Sequence, residues 1–184
     1  YRLERADGSA SEAEIALPAP SPVAGPWSVR FENPCGGVLQ TNLARLASWS
    51  ESPDPAIRYF SGSATYAASF DVGGEALAGG RRVWLDLGAV EVMAEVRVNG
   101  RPLGVLWKRP YAADVTEAVR AGANALEVRV TNLWWNRLKG DEDLPPERRT
   151  SFATARPRTP RDRLLPSGLI GPVTVRVSAC QTVP

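Results

Sequence analysis

The sequence contains no histidine among its 184 residues. This absence excludes Ser-His-Asp and Cys-His catalysis, zinc sites built on histidine, and acid–base chemistry by an imidazole. Only two cysteines are present, Cys35 and Cys180. They are too few for a disulfide framework and wrongly spaced for a metal-binding motif. One disulfide between them and two free thiols are both consistent with the sequence.

An excess of charge of one sign and a long apolar run are also missing. The 22 basic and 20 acidic residues leave a formal charge of +2, without the broad positive field of a nucleic-acid-binding protein. The longest uncharged stretch, Ile15–Val29, is interrupted by prolines and is shorter than the ~20 apolar residues of a membrane-spanning helix. We therefore predict that neither a nucleic acid nor a membrane is a partner.

The residues that are present favour short strands joined by turns. Glycine and proline each occur 16 times, which indicates many turns and few long helices. Apolar and polar residues alternate over Trp27–Phe31, Val92–Val98 and Val173–Ser178, as in half-buried strands. Asn99-Gly100 precedes Arg101–Leu106 and predicts a two-residue type I′ hairpin turn. The pattern predicts an all-β fold, an antiparallel β-sandwich or jelly roll, with further strands over 64–72, 83–87 and 126–131.

The mixed Pro, Ala, Ser and Gly composition of 18–26 is typical of an extended linker. We predict that residues 1–26 comprise the tail of a preceding domain, with a small hairpin at Asp7-Gly8, followed by this linker. Residues 27–184 then form the jelly-roll domain. Periodicity is lost between Leu133 and Pro166, and an irregular segment this long is usually functional or mobile.

Aromatic and polar residues on both sides of the strand 126–131 suggest a sugar-binding face. Aromatic rings suit the apolar C–H face of a sugar, and neighbouring polar groups suit its hydroxyls. The alternative is that one or two of the tryptophans only cap the core, because large aromatic side chains are buried on average. The predicted substrate-binding residues are Trp107, Lys108, Tyr111, Asn132, Trp134, Asn136 and Arg137.

Two charged segments offer other interpretations. A pair of carboxylates can hydrolyse a glycosidic bond without histidine, and Asp141-Glu142-Asp143 is the one acidic cluster. Adjacent loop residues seldom face each other across a substrate, so a solvated loop tip is the alternative to a small hydrolase. The arginine-rich stretch 148–163 could contact an acidic polysaccharide or a neighbouring domain, or form a solvated loop.

Several blocks of the sequence resemble known glycosidase families. Val83–Gly88, Ala94–Gly100 and Gly122–Val128 resemble the sugar-binding-like jelly roll of family 2 glycosidases. Over about 27–177 the chain more closely resembles the C-terminal galactose-binding-like β-sandwich of glycoside hydrolase family 106, the α-L-rhamnosidases. The blocks that carry this second resemblance are Leu46–Trp49, Arg58–Gly62, Leu106–Lys108, Thr131–Trp134, Asn136–Leu138, Gly140–Glu142 and Gly168–Val173.

The resemblance implies a part of a large, secreted or periplasmic enzyme that degrades rhamnose-containing polysaccharides. The family's catalytic carboxylates and calcium belong to a separate barrel domain, so it implies no catalytic residue, no cofactor and no metal ligand in this chain. Calcium binding by the sandwich itself stays open, because such sites use backbone carbonyls that leave no sequence pattern. The expected partners are rhamnose-containing glycans and the catalytic barrel of the same polypeptide. Two roles follow as hypotheses: a carbohydrate-binding-like module, or a module that only docks other domains.

Overall fold

The computed structural model of the protein describes residues 2–12, 19–32, 37–153 and 163–178. Cys35 and Cys180 lie outside the described residues, as does 154–162 of the arginine-rich stretch. No described helix has the length and apolarity needed to cross a membrane. The strands are β1 (Arg2–Glu4), β2 (Ala10–Glu12), β3 (Ser21–Pro22), β4 (Trp27–Glu32), β5 (Val38–Leu43), β6 (Ser63–Val72), β7 (Arg82–Asp86), β8 (Ala89–Glu91), β9 (Met93–Val98), β10 (Arg101–Leu106), β11 (Ala112–Asp114), β12 (Gly122–Thr131), β13 (Gly168–Gly171) and β14 (Thr174–Ser178).

Two antiparallel sheets carry most of these strands. The larger sheet has the order β10-β9-β12-β6-β4-β5, and the smaller has the order β11-β7-β14-β3. Strands β8 and β13 form a separate pair. Two short helices, α1 (Pro55–Arg58) and α2 (Trp135–Gly140), and three 3-10 turns lie in the connections. The prediction of an all-β antiparallel sandwich is confirmed.

The core lies on the inward faces of both sheets. Ala94, Val96 and Val98 of β9 are buried and alternate with more exposed residues, as the period of two requires. Leu85 of β7 and Val175 of β14 supply the apolar face of the smaller sheet. At one end the core is aromatic, with edge-to-face contacts among Phe31, Trp49 and Phe60 at centroid distances of 5.0–5.4 Å.

The turn between β9 and β10 has the predicted conformation. Asn99 has φ of 52° and Gly100 has φ of 79°, the two positive values that a type I′ turn needs. The Asn99 amide also donates hydrogen bonds of 2.8 Å to the carbonyl oxygen of Ala118 and to Oδ1 of Asn124. The turn is thus held by its own backbone, by the start of β12 and by the segment that precedes β12.

The hairpin predicted at Asp7-Gly8 is also present, because β1 and β2 pair across it. The segment predicted as a linker contributes to the sandwich, since β3 pairs with β14. The amide of Val23 donates to the carbonyl of Val173 at 2.9 Å. The domain boundary between residues 26 and 27 stays a prediction.

The segment from Leu133 to Pro166 is less irregular than its sequence indicates. It contains α2 and a 3-10 turn at Pro146–Arg148. A helix of six residues is too short to show a period of 3.6, so pattern analysis passes over it. Its anchoring is tertiary, through the side chains described next.

Candidate functional site

An exposed apolar surface lies at one end of the larger sheet. Strands β10 and β12 both flank β9, and their last residues lie beside its first residues, with Leu106 opposite Ala94 and Thr131 opposite Met93. The segments that follow β10 and β12 therefore leave the sheet at the same end, one on each side of β9. Exposed apolar side chains, 40–66% accessible, collect here in what we call the apolar rim: Met93, Val105, Trp107, Leu133 and Trp134.

The rim contains two of the predicted sugar-binding aromatics. Trp107 is 66% exposed and Trp134 is 45% exposed, so neither caps the core. The ammonium of Lys108 lies 5.6 Å from the centroid of the Trp107 ring, a cation–π contact on the surface. Two aromatic faces and one cation are thus presented to solvent at the same end of the sheet.

The rest of the outward face of these strands is charged. Arg129 of β12 lies 2.8 Å from Glu95 and 3.6 Å from Glu32, and Arg97 lies 3.8 Å from Glu127. These partly exposed pairs contribute little stability. These charged side chains form a solvated face, and the apolar rim lies at one end of that face.

Asn132, another predicted sugar ligand, is buried and bonded within the protein. Its Oδ1 accepts from the amide of Gly62 at 2.9 Å. Its Nδ2 donates to the carbonyl of Phe60 at 2.9 Å and to Oγ of Ser167 at 3.0 Å. This side chain holds the loop before β6 against the loop before β13 and presents no free group to a ligand.

Asn136 on α2 has the same role. Its Nδ2 donates to the carbonyl of Leu165 at 2.8 Å and to Oγ of Ser167 at 3.2 Å, and its Oδ1 accepts from the amide of Leu165 at 2.9 Å. Ser167 is itself fixed, because its amide donates to Oγ of Ser48 at 3.0 Å. The two asparagines that the sequence suggests as sugar ligands instead fasten α2 and the 165–167 segment to the sandwich.

Tyr111 is also buried, and its hydroxyl donates to the carbonyl of Val92 at 2.9 Å. Arg137 is directed inward, where its Nη2 donates to Oδ1 of Asp141 at 2.6 Å. Of the seven predicted residues, the structure places Trp107, Lys108 and Trp134 in solvent at the rim. It places Tyr111, Asn132, Asn136 and Arg137 in contacts within the protein.

The carboxylate of Asp141 is enclosed by donors. Besides Arg137, the amides of Thr150 and Ser151 donate to Oδ2 at 3.0 and 2.8 Å, and the Ser151 hydroxyl donates at 2.6 Å. Burial alone would raise the pKa of Asp141, but the Ser151 hydrogen bonds and the Arg137 charge outweigh it and lower the pKa. Asp141 is therefore an ionised anchor and is unsuited to donate a proton to a leaving group.

A family model described as the glycosyl hydrolase 2 galactose-binding domain-like domain matches residues 44–163, which is most of the chain. The chain belongs to this family. The resemblance to the family 2 sugar-binding-like jelly roll is thus confirmed.

Relatives of this galactose-binding-like domain occur in longer glycosidases. A rhamnosidase of Novosphingobium sp. PP1Y is 41% identical with a TM-score of 0.78, over 95% of this chain and 16% of that one. A Formosa agariphila protein provisionally named a β-glucuronidase is 40% identical over 88% of this chain and 16% of its own length. A Dictyoglomus thermophilum β-D-glucuronidase shares the fold, with 21% identity and a TM-score of 0.60, over 91% of this chain and 29% of that one.

The galactose-binding-like domain thus spans about one sixth of the two relatives near 40% identity. Its described residues hold no group of three or more Cys, Asp or Glu side chains arranged to bind a metal ion.

The buried carboxylate of the galactose-binding-like domain predicts a pH dependence. Asp141→Asn replaces one accepting oxygen with a donor facing other donors, so we expect the free energy of unfolding at pH 7 to fall by about 2 kcal/mol. The pKa of Asp141 in the folded protein lies below the ordinary 3.8. The stability that its ionised carboxylate gives the wild type is therefore fully present above pH 3.8 and is lost as pH falls through the folded pKa.

Urea unfolding at pH 7 and pH 3 measures this effect. The difference between wild type and Asp141→Asn should shrink at the lower pH. Asp143→Asn is the matched control, since Asp143 is exposed two residues away, and should change stability by less than ~0.5 kcal/mol. Equal losses for the two variants at pH 7 would contradict the anchoring role.

Proposed function

We propose that this domain is the non-catalytic, carbohydrate-binding-like module in the C-terminal part of an α-L-rhamnosidase-like enzyme of glycoside hydrolase family 106. Two findings support the proposal: 41% identity to the Novosphingobium rhamnosidase over nearly the whole chain, and the family 106 motif blocks in the sequence. The substrates proposed are rhamnose-containing polysaccharides.

The apolar rim is the observation that carries a carbohydrate-binding role. Tryptophan faces stack on the C–H face of a pyranose, and nearby polar groups bind its hydroxyls. Trp107 and Trp134 offer such faces in solvent, and Lys108 offers an ammonium beside one of them. The buried asparagines support this surface from behind by fixing α2, which begins directly after Trp134.

Catalysis belongs to another part of the polypeptide in this proposal. Asp141 is held as an anchor, so it does not form an acid–base pair with Glu142. The partner proposed is a catalytic barrel of the same polypeptide. An enzyme acting on polysaccharides, which are too large to enter the cell intact, works outside the cytoplasm, so we propose a secreted or periplasmic location.

A second role, docking without sugar binding, is favoured by the aliphatic members of the rim. Met93, Val105 and Leu133 are 40–57% exposed and offer neither a ring nor a hydrogen bond to a sugar. Exposed apolar patches often mark protein interfaces. In the two relatives near 40% identity about five sixths of the length lies outside the matched region, and a corresponding part of the enzyme would supply the covering surface.

Binding of rhamnose-containing oligosaccharides separates the two roles. We expect a saturable change in tryptophan fluorescence of the wild-type domain, and at least a tenfold loss of affinity in Trp134→Ala by calorimetry, about 1.4 kcal/mol. The variant should keep the fold, because surface substitutions usually change stability by less than ~0.5 kcal/mol.

Leu133→Ala is the control, since it removes a neighbouring exposed apolar side chain without removing a ring. Its affinity should stay within twofold of wild type. Affinity that is unchanged in Trp134→Ala, or no binding by the wild type, would leave docking as the role of the rim. A stronger response to a β-glucuronide than to a rhamnoside would contradict the proposed substrate.

A further inference from the structure

One cleft of the described structure is lined by none of the rim residues. A cleft of about 530 Å³ opens between α2 and the segment that returns past it after the 3-10 turn at Pro146–Arg148. Small-molecule sites commonly have volumes of about 300–1,000 Å³. The side chains that matter for the argument are Leu138, Lys139, Glu142, Arg149, Ser151 and Phe152.

The walls of this cleft are fixed by hydrogen bonds. Asp141 holds the backbone amides of Thr150 and Ser151, which form one wall, at 3.0 and 2.8 Å. Arg149 donates from Nε to the carbonyl of Leu144 at 2.8 Å, which closes the turn below. A ligand would therefore meet a preformed cleft, which lowers the entropic cost of binding.

Two charged groups in the cleft can form further hydrogen bonds. The side chain of Lys139 is only 4% exposed and its Nζ donates to Oε2 of Glu142 at 3.3 Å. The ammonium also lies 5.8 Å from the centroid of the Trp135 ring. An ammonium has three donors and a carboxylate about four acceptor sites, so the hydrogen bond between Lys139 and Glu142 leaves further donor and acceptor positions for a ligand. Two cations, Lys139 and Arg149, and two carboxylates, Asp141 and Glu142, line the cleft, and this charge balance suits a neutral, hydroxyl-rich molecule.

Phe152 supplies an apolar platform at the same cleft. Its side chain is 90% exposed, the highest value among the described large apolar residues. An exposed ring beside hydroxyl-binding charged groups is the combination that a pyranose needs, one apolar face and several polar contacts. The backbone just before it is held by Asp141, so the platform has a fixed base.

We propose that this cleft binds one neutral pyranose ring of a glycan, stacked on Phe152, with hydroxyls bonded to Lys139 and Glu142. The choice of ligand class rests on the proposed function, whereas the site rests on the cleft itself. The cleft would be a second carbohydrate contact, separate from the rim, and would let the module hold a polysaccharide at two points.

A two-dimensional ¹H–¹⁵N NMR titration of the 184-residue chain with methyl α-L-rhamnoside tests this site. We expect saturable chemical-shift changes at the backbone amides of residues 151 and 152. The affinity obtained from them should fall at least tenfold in both Phe152→Ala and Glu142→Gln. Val38→Ala is the control, since Val38 is also an exposed apolar residue and does not line the cleft. Its dissociation constant should equal that of wild type.

The outcomes separate this inference from the proposed function. Shifts confined to the rim indoles and lost only in Trp134→Ala would overturn the cleft and leave the module role standing. Shifts at the cleft that persist in both cleft variants would also overturn it. Tighter binding of glucuronate than of the rhamnoside would overturn the neutral ligand class. A wild type that responds to no sugar at either place would overturn both proposals.

Discussion

Replacing Gly168 with alanine is expected to lower the free energy of unfolding by about 3 kcal/mol, the sum of an overpacking cost and a backbone cost. A Cβ at this position would overlap the indole of Trp49 and lie 2.7 Å from the hydroxyl oxygen of Tyr66. Both aromatic side chains are buried and cannot move aside. Gly168 also has φ of +92°, a conformation that residues with a Cβ rarely adopt.

Gly104→Ala separates the two causes of that loss. Gly104 has a closely similar φ of +95°, but no atom lies within 4 Å of a Cβ built there. We expect a loss of about 1 kcal/mol in this variant, from the backbone alone. Thermal unfolding of the two variants gives the comparison, with about 2–4 °C per kcal/mol for a chain of this size. Equal shifts for both would show that Gly168 is needed only for its backbone conformation.

Tyr66→Phe should cost nearly as much, about 3 kcal/mol, although it removes a single oxygen atom. The Tyr66 hydroxyl accepts from Nε1 of Trp49 at 2.5 Å and from the amide of Leu169 at 3.1 Å. Both donors would be left unpaired in the core, and each unsatisfied buried group costs about 1–3 kcal/mol. Burial raises the pKa of Tyr66 to about 12, so the hydroxyl is neutral at every ordinary pH and the loss should not vary with pH near 7.

Tyr111→Phe is the matched control for this change. The Tyr111 hydroxyl makes one described hydrogen bond, donated to the carbonyl of Val92, so its removal strands no donor. We expect a loss of about 1 kcal/mol, measured by urea unfolding alongside Tyr66→Phe. A Tyr66→Phe variant as stable as Tyr111→Phe would mean that the aromatic core reaches other acceptors or water.

These large effects meet at one place in the fold. Trp49 begins the 3-10 turn between β5 and β6, Tyr66 lies within β6, and Gly168 begins β13. The backbone amide of Trp49 also donates a hydrogen bond to the carbonyl of Ser167, the residue before Gly168, at 2.9 Å. The same segment, through Ser167, bonds Asn132 and Asn136. The aromatic core and the base of the rim are thereby mechanically connected.

The parts of the fold that depend only on neighbouring residues could be predicted from the sequence. The β9–β10 hairpin follows from Asn99-Gly100, whose positive φ angles depend on two residues only. Strands β6, β9 and β12 follow from alternation over a few positions. Strand β5 and the pair β8–β13 were not predicted, since Val38–Leu43 has exposed and half-exposed residues and the other two have only three and four residues.

The candidate site was predictable only in part. Trp107, Lys108 and Trp134 follow the two strands that flank β9 and are exposed at one end of the sheet, and their role toward sugars stays a prediction. The cleft around Phe152 had no signal in the sequence beyond one aromatic residue in an irregular segment. Its walls depend on Asp141, which the sequence suggested only as part of an acidic cluster.

The sequence by itself determined which chemistry is unavailable, where the chain turns, and which strand faces are apolar. The absence of histidine and the period of two are properties of composition and neighbouring residues. Only the tertiary structure decided that Asn132 and Asn136 bond inward while Trp107 and Trp134 remain in solvent. The carbonyl that Asn132 binds belongs to Phe60, 72 residues away, and the Ser167 hydroxyl that both asparagines bind lies 31 and 35 residues away. Whether a polar side chain bonds within the protein or stays free for a ligand depends on the partners that folding brings to it from distant positions in the sequence.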